Sequence, residues 1–541
     1  MIKLLKGNIL NVFTGDIYPA EIIIEDGIIK IVRKIKGDFD GILLPGFIDS
    51  HTHIESSLMT PSSFAEATIP HGTTAVISDP HEIANVMGLE GIEFMIEDSK
   101  RVPLKFFFTA PSCVPATEFE TAGARIGANK IKNLLERDEI VALGEMMDFP
   151  SVIAENPEAI RKIKAAKKAC KPIDGHAPLL SGDDLCKYVE KGISTDHESV
   201  YAEEALEKKE LGMKIMIREG SSAKNLQELA SIGGDFLVSD DMEPGDLIEG
   251  HMDAILRKAI EYGIDEAEAV RMVTINPAEH YSLDCGAIAP GRSADIVLVD
   301  NLKNFTVKKV FINGELVAKD GEKLFKTMGE KRTPPQGKIR IKGLKSSRLE
   351  IQAPGDRARV RVIKVFEGQI ITSESVHELP IIDGIIQPLP EDDILKASVI
   401  DRYGHGNIGN GFVKGFGIKE GALASTIAHD SHNLIVVGTS TNYMMEAVEI
   451  LRTGGGLIAV APDEYMHLKL PVAGLMSHER VNILACKARQ LNDFVADMGS
   501  SLSNPFMTMS FLSLLVIPQL RLSDKGLFNV EERRFVDPIL S

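Results

Sequence analysis

Two histidines separated by one residue end an apolar run near the start of the chain. Residues 47–53 read Phe-Ile-Asp-Ser-His-Thr-His. Side chains at positions i and i+2 of a β-strand lie on the same side, so the rings of His51 and His53 can reach one metal ion. Imidazole binds zinc, iron and other transition metals. An exposed turn is the alternative for an isolated pair, but further residues of the same kind follow.

Histidines and carboxylates also stand where later apolar runs end. The additional candidate ligands are Glu145, His176, His197 and Asp240. A single histidine in such a position more often forms a hydrogen bond within a loop. After His51 and His53, however, each is a candidate ligand, and a carboxylate on the apolar strand around Glu145 needs a cationic partner because burying an unpaired charge is costly. Asp240 and Asp241 could instead cap a helix.

Apolar runs alternate with longer helical stretches between residues 46 and 285. Eight such runs end near positions 53, 80, 112, 146, 178, 198, 220 and 241. Eight alternating strands and helices predict an α/β fold with a (β/α)8 TIM-type barrel, whose active site lies at the carboxyl ends of the strands. Such a barrel would bring all six candidate ligands to one mouth, although they are distant in sequence.

Shorter β-like runs flank the predicted barrel on both sides. The dipeptides Asp26-Gly27 and Asn313-Gly314 are typical of β-hairpin turns. We expect residues 1–45 and 286–330 to form one small β-domain. Residues 330–345, rich in Lys, Arg, Pro and Gly, resemble a linker, and residues 346–541 are expected to form a C-terminal domain of mixed strands and helices.

The composition of the 541 residues argues against several classes of protein. A net charge of −18 disfavours binding to nucleic acid. No apolar run reaches the roughly 18–20 residues of a membrane helix, and residues 1–8 lack the features of a signal peptide. Five scattered cysteines without a Cys-x-x-Cys pair indicate neither disulfides nor a zinc knuckle. We expect a cytoplasmic homo-oligomer with a small-molecule substrate and no membrane partner.

Residues 43–53 resemble the first-strand signature of the amidohydrolase superfamily, and the sequence Gly-Arg-Ser-Ala-Asp-Ile-Val at 291–297 is typical of its members. Within that superfamily the chain is similar to the adenine deaminase family. The segments that carry this likeness are 53–57, 78–86, 144–150, 239–242, 411–417 and 428–433. The resemblance therefore extends over nearly the whole chain.

The resemblance implies hydrolytic deamination of adenine to hypoxanthine and ammonia in purine salvage. It implies two divalent metal ions, with Mn²⁺ or Fe²⁺ expected and Zn²⁺ chemically acceptable. The implied metal ligands are His51, His53, Glu145, His176, His197 and Asp240. Glu145 is placed to bridge the metals, because the run around it has no lysine that could be carboxylated for that purpose.

The reaction itself requires a base and an acid. Two cations sharing a water make hydroxide available, and Asp240 is our candidate to take its proton and pass it on. A second acid must protonate N1 of adenine, and Glu145, Glu55, Glu82 and Asp241 are all candidates. We place Glu145 and Glu82 with Asp240 as catalytic residues. We place Glu55, His81 and Asp241 as substrate-binding residues.

Two other functions stay open on the sequence. One is another binuclear amidohydrolase, such as a β-aspartyl dipeptidase-like enzyme, and the other is a non-catalytic barrel scaffold. The signature of zinc cytidine deaminases, His-x-Glu followed by Pro-Cys-x-x-Cys, is absent. Arg218 could be a surface charge or a substrate contact, and we favour the surface charge. For His251 a structural role is at least as well supported as a catalytic one. His429 and His432 could form a separate metal pair or orient a loop over the barrel mouth.

Overall fold

The computed structural model describes residues 2–221, 223–329 and 339–540. Its first four strands are β1 (Ile2–Leu10), β2 (Ile17–Glu25), β3 (Ile28–Lys34) and β4 (Ile42–Pro45). The eight strands of the barrel follow: β5 (Phe47–Thr52), β6 (Thr73–Ser78), β7 (Lys105–Ala110), β8 (Ile140–Met146), β9 (Ile173–Gly175), β10 (Thr195–Asp196), β11 (Lys214–Arg218) and β12 (Phe236–Val238).

The barrel strands pair in parallel and in chain order. Strands β5 to β9 form one hydrogen-bonded series and β10 to β12 another. The Ser194 N–H donates to the Ile173 carbonyl (2.9 Å) and joins the two series. The Asp240 N–H donates to the His51 carbonyl (3.0 Å) and closes the barrel. All residues of β5, β6 and β8 are buried, as expected for parallel strands covered on both faces. The predicted α/β barrel is confirmed.

Helices surround the barrel and connect its strands. They are α1 (Pro61–Thr68), α2 (His81–Met87), α3 (Leu89–Ser99), α4 (Ala128–Leu135), α5 (Phe149–Ile153), α6 (Pro157–Lys168), α7 (Gly182–Glu190), α8 (Ala202–Glu210), α9 (Leu226–Leu229), α10 (Pro244–Glu249), α11 (Met252–Glu261), α12 (Glu266–Met272) and α13 (Ile275–His280). Among the residues that the structure describes, no helix combines the length and apolar character needed to cross a bilayer.

Both flanks of the barrel contribute to one eight-stranded sheet. Its second half is β13 (Ile296–Val299), β14 (Val307–Ile312), β15 (Glu315–Lys319) and β16 (Glu322–Lys323). β13 pairs antiparallel with β4 and joins the two halves of the sheet, whose order is β16-β15-β14-β13-β4-β1-β2-β3. Asn313 and Gly314 form the turn between β14 and β15 with positive φ angles of 51° and 71°, which the Asn-Gly dipeptide readily adopts.

The C-terminal unit is built on a ten-stranded sheet. Its strands, with those of a three-stranded sheet beside it, are β17 (Arg357–Lys364), β18 (Ser373–Ile382), β19 (Ile385–Ile386), β20 (Ile394–Ile400), β21 (Ile408–Lys414), β22 (Ala422–Ser425), β23 (Leu434–Gly438), β24 (Gly456–Val460), β25 (Tyr465–Lys469), β26 (Leu520–Ser523), β27 (Gly526–Asn529), β28 (Arg534–Phe535) and β29 (Ile539–Leu540). Three helices pack against these sheets: α14 (Thr441–Leu451), α15 (Val481–Asp497) and α16 (Pro505–Ser510).

The predicted linker divides into two parts. Positions 330–338 lie outside the described residues. Positions 339–345 belong structurally to the C-terminal unit, because the Arg340 N–H donates to the Arg402 carbonyl (2.8 Å) and Ile341 and Leu344 pack against buried residues of the sheet. The proposed domain limits at residues 45, 285 and 346 stay predictions.

Candidate active site

The six predicted metal ligands meet at the carboxyl ends of the barrel strands. They are His51 in β5, His53 just after it, Glu145 in β8, His176 after β9, His197 after β10 and Asp240 after β12. Each is at most 7% exposed. The barrel therefore brings together, at one mouth, side chains that the sequence spreads over about 190 positions.

Asp240 joins the two histidines of the first strand. Its Oδ1 lies 3.4 Å from His51 Nε2 and 3.3 Å from His53 Nε2. The backbone of Asp240 has a φ of 56°, an uncommon conformation for a residue other than glycine. Backbone hydrogen bonds to His51 and from His53 hold it there and direct the carboxylate toward the histidines. Neither Asp240 nor Asp241 caps a helix, since α10 begins later and has Glu243 at its N-cap.

Glu145 lies between two groups of histidines. Its Oε1 is 3.4 Å from His53 Nε2 and 3.3 Å from His81 Nδ1. Its Oε2 is 2.7 Å from His176 Nδ1 and 3.3 Å from His197 Nε2. One oxygen thus faces each group, which is the arrangement that a carboxylate shared by two metal ions requires.

The tautomer of His53 suits metal binding. Its Nδ1 lies 3.2 Å from the Asp79 carbonyl, and a carbonyl only accepts, so Nδ1 carries the hydrogen. The lone pair of Nε2 is then free toward Glu145 and Asp240. Metal-binding histidines usually donate their second N–H to such an acceptor. Two sets of atoms close enough to hold a metal contain His51, one with His53 and Asp240, the other with Glu145 and His197.

The charges of the site favour ionised carboxylates. Burial raises the pKa of Glu145, but hydrogen bonds from His176 and His197 outweigh it and hold the pKa well below its usual range. The same holds for Asp240, where His51, His53 and Arg218 oppose burial. Both side chains are therefore present as anions, the form in which carboxylates bind metals.

A second set of acidic residues lies beside the first. The Ser56 hydroxyl is 2.5 Å from Asp241 Oδ1 and 3.1 Å from Glu82 Oε1. One hydroxyl has a single hydrogen, so two such contacts need a proton on one of the carboxyls. Burial raises the pKa of Glu82 well above its usual range, and the charges of Glu55 and Asp241 add to this effect. The proton therefore resides on Glu82.

Glu55 and His81 complete the set of predicted substrate contacts. One oxygen of Glu55 accepts the Ile83 N–H (3.2 Å), and burial raises the pKa of this carboxyl. His81 Nε2 lies 3.8 Å from Asp430 Oδ1, a carboxylate of the C-terminal unit. The structure thus places Glu55, Glu82 and His81 near the metal ligands, and it adds Asp430, which the sequence did not single out.

Glu198 and Arg218 are site residues that the sequence reasoning missed. Arg218 is buried and donates to both oxygens of Glu198 and, at 3.1 Å, to Asp240 Oδ2. The prediction of a surface charge at Arg218 was wrong because β11 ends inside the barrel mouth, where two carboxylates surround the guanidinium. A signal was present, since Arg218 ends an apolar run just as the candidate ligands do.

Three other histidines that the sequence singled out are His251, His429 and His432. His251 lies between Asp49 Oδ2 (3.2 Å from Nε2) and Thr73 Oγ1 (2.7 Å from Nδ1), away from the mouth, as expected for a structural role. The Ala428 N–H donates to His432 Nδ1, so the hydrogen is on Nε2, which faces Glu82 Oε2 at 3.6 Å. Glu82, His429 and His432 are close enough to hold a metal, but in this tautomer the nitrogen of His432 that faces Glu82 carries a hydrogen and has no lone pair for a metal.

Comparisons with known proteins assign both halves of the chain. A sequence profile of the amidohydrolase family matches residues 42–317, and one of the adenine deaminase C-terminal domain matches residues 369–534. The adenine deaminase of Methanothermobacter thermautotrophicus is 60% identical over 530 residues, which cover 98% of both chains. The chain belongs to the adenine deaminase family. Adenine deaminases of Methanosphaera stadtmanae and Salinibacter ruber are 52% and 43% identical, over 99% and 98% of both chains.

In this member of the adenine deaminase family the C-terminal unit covers the barrel mouth. The cavity over Glu145 has polar walls from the barrel. Its opposite side contains His429 and Asp430 and the apolar side chains of Ile370, Phe511, Leu514 and Ile517. The site is thus formed by both matched regions, and the resemblance to adenine deaminases inferred from the sequence is confirmed.

Proposed function

We propose that this protein hydrolyses adenine to hypoxanthine and ammonia with the help of two divalent metal ions. The observation that carries this proposal is Glu145, which directs one oxygen to each of two histidine groups at the mouth of the barrel. The near-complete match to proteins named adenine deaminase supports the choice of substrate.

The donor set fits two such ions. N···O separations of 3.3–3.4 Å between His51, His53 and Asp240 are those of ligands that share one ion at about 2.1 Å. Glu145 and His197 would hold the second ion, with His176 beside them. Two bound cations would polarise a water molecule and lower its pKa, which supplies hydroxide near neutral pH.

The residues of the chain then move the protons. Asp240 lines the cavity, and Arg218 donates a hydrogen bond to its Oδ2. We assign Asp240 the removal of a proton from water. The single hydrogen of Ser56 requires a proton on Glu82 or Asp241, and the raised pKa of Glu82 favours Glu82. We assign Glu82 the protonation of N1. The exocyclic amine receives a proton from Asp240 and leaves as ammonia when its bond to C6 breaks. The hydrogen left on the added oxygen returns to Glu82 as the C6 carbonyl forms, so that water is consumed, ammonia departs and both carboxyls regain their starting protonation.

The other predicted contacts would orient the base. Glu82 and Asp241 line the cavity together with His81. Glu55 accepts a hydrogen bond from the Ile83 N–H and so holds the segment that contains Glu82. We assign His81 and Asp241 to the ring nitrogens of adenine, because they offer a donor and an acceptor on the same wall. Glu55 fixes the start of α2, from which His81 and Glu82 project.

Three further parts of the proposal concern the setting of the enzyme. We propose Mn²⁺ or Fe²⁺ as the bound ions, since histidine with carboxylate accepts either and Zn²⁺ as well. We propose a homo-oligomer that acts in the cytoplasm in purine salvage. Metal analysis of protein purified under anaerobic conditions and light scattering after size-exclusion chromatography test the metal and the oligomeric state.

One experiment tests the activity and the site. Protein stripped of metal and reloaded with Mn²⁺ or Fe²⁺ is given adenine, and hypoxanthine and ammonia are measured. We expect equal amounts of both products, and a loss of at least about 100-fold in Glu145→Gln and His51→Ala. His405→Ala is the matched control, because His405 is a histidine with a 60% exposed side chain. In parallel, a β-aspartyl dipeptide is offered, and release of its amino acid without ammonia from adenine would favour the alternative hydrolase.

A further inference from the structure

The cavity over the metal ligands has one apolar side, here called the apolar wall, formed by Ile370, Phe511, Leu514 and Ile517. All four belong to the C-terminal unit. Phe511, Leu514 and Ile517 are buried yet form a small cluster of their own, with Ile370 packed against it, rather than part of the main core. The barrel lines the rest of this cavity mainly with histidines and charged side chains, so the cavity has a charged half from the barrel and an apolar half from the C-terminal unit.

Two short segments build the apolar wall, and both are fixed by the same side chain. Arg521, at the start of β26, is completely buried. Its Nε donates to the Ile517 carbonyl (2.8 Å) and its Nη1 to the Phe511 carbonyl (2.7 Å). Its Nη2 donates to the carbonyls of Ile370 (2.7 Å) and Pro518 (2.9 Å). Three of these four carbonyls belong to residues of the wall.

Arg521 has no counter-charge among residues 2–221, 223–329 and 339–540, in which no carboxylate forms an ion pair with it. Burying a guanidinium without one is costly, and the four carbonyl hydrogen bonds compensate for this only if the segments stay in place. The planar fork of arginine can span both segments, whereas the ammonium of a lysine cannot. The side chain therefore restrains the backbone that presents the wall.

The wall also has an aromatic element. The ring of Phe511 stacks on His429 with centroids 4.8 Å apart and an angle of 19° between planes. His429 in turn lies 3.9 Å from Glu82, the proposed acid. The apolar wall therefore adjoins the residues that would contact the ring nitrogens of a substrate.

We propose that the apolar wall binds the purine ring, and that Arg521 is the positioning residue that holds it in place. This inference rests on the proposed function and specifies how the C-terminal unit contributes to it. A heteroaromatic ring has an apolar face and polar edges, which match the two halves of the cavity. A charged β-aspartyl dipeptide would have to desolvate its charges against the same wall, so the wall also selects against the alternative substrate.

The test uses purine, which lacks the exocyclic amine and reports binding of the ring alone. The Mn²⁺-loaded full-length protein is titrated with purine by calorimetry, and KM and kcat for adenine are measured in parallel. For Leu514→Thr we expect purine binding weaker by about tenfold and a matching rise in KM, with kcat changed much less. Leu515→Thr is the matched control, because Leu515 is a buried neighbour outside the set of residues that line the cavity.

Arg521→Lys tests the positioning role. We expect weaker purine binding with the metal content of the protein unchanged, because the wall shifts while the barrel ligands stay. Wild-type affinity for purine in both Leu514→Thr and Arg521→Lys, or an equal loss in Leu515→Thr, would overturn the inference. A wild-type protein that binds purine through Leu514 but releases no ammonia from adenine would instead refute the proposed function alone.

Discussion

Substitution of Lys208 tests which contacts fix the loops that carry two of the proposed metal ligands. It lies in α8 with a side chain that is 0% exposed, and its ammonium donates to Asp196 Oδ2 at 2.9 Å. It also donates to Glu204 Oε1 (2.8 Å), the Ala177 carbonyl (2.7 Å) and the Ser199 hydroxyl (3.1 Å). Ala177 follows His176 and Asp196 precedes His197, so one buried lysine ties together the two loops that present these histidines.

The cost of Lys208→Met follows from the partners it leaves. Removing one member of a buried ion pair typically costs about 3–5 kcal/mol. Asp196 would keep three donors, the N–H groups of Ala177 and Ser199 and the Ser199 hydroxyl. Glu204 would keep the N–H groups of Leu179 and Val200, so we expect the lower end, about 3 kcal/mol. For a unit the size of the barrel this corresponds to a fall of about 6–12 °C in the thermal midpoint.

The assay is thermal unfolding of metal-free protein followed by circular dichroism, with metal affinity measured by competition with a chelator. The matched control is Lys187→Met, which removes a lysine whose ion pair with Asp184 is more than half exposed. Such a pair contributes at most about 1 kcal/mol, so the control should stay close to wild type. Equal midpoints and equal metal affinities in the two variants would refute the role assigned to Lys208.

Three further predictions address metal, charge and pH. Glu145→Ala should lower bound metal below two ions per chain in elemental analysis, since both histidine groups lose the shared carboxylate. Arg218→Lys should reduce kcat/KM for adenine at least about tenfold in the ammonia assay, because lysine cannot hold Glu198 and Asp240 together. Burial, together with the charge of Lys214, lowers the pKa of His280 to about 4. The contribution of the neutral imidazole to stability is therefore complete above the unfolded pKa of 6.5 and is lost as pH falls from 6.5 to 4. His280→Leu should therefore lessen, by at most about 3 kcal/mol, the decline in thermal stability over that range; an unchanged decline would contradict the assignment.

The barrel was predictable because apolar runs and helical stretches alternate regularly between residues 46 and 285. Parallel strands covered on both faces are buried throughout and mainly apolar until near their carboxyl ends, and β5, β6 and β8 are buried at every residue. Polar residues at the ends of such strands are conspicuous, which made His51, Glu145 and Asp240 visible. Two of the short strands, β9 and β10, gave their clearest signal through the histidines that follow them.

Other residues of the site gave an ambiguous signal. Arg218 and Glu198 are charged residues next to apolar runs, and the same pattern describes a surface residue beside a strand. Only their mutual contact, 20 positions apart, shows that each neutralises the other inside the mouth. The proton on Glu82 could not be read from sequence, because it follows from two distances to the hydroxyl of Ser56 and from the burial that raises the pKa of Glu82.

The apolar half of the cavity was the least predictable part, for a physical reason. Metal binding and proton transfer demand particular side chains, so the charged half restricts residue types. Contact with a ring demands only apolar surface of suitable shape, which Leu514 and Ile517 supply without differing from core residues. Arg521 supports this half from outside the cavity, because its buried guanidinium donates to the backbone carbonyls of Phe511 and Ile517. Its burial, like that of Arg402, is evident only once the chain has folded, so the sequence does not distinguish Arg521 from a surface arginine.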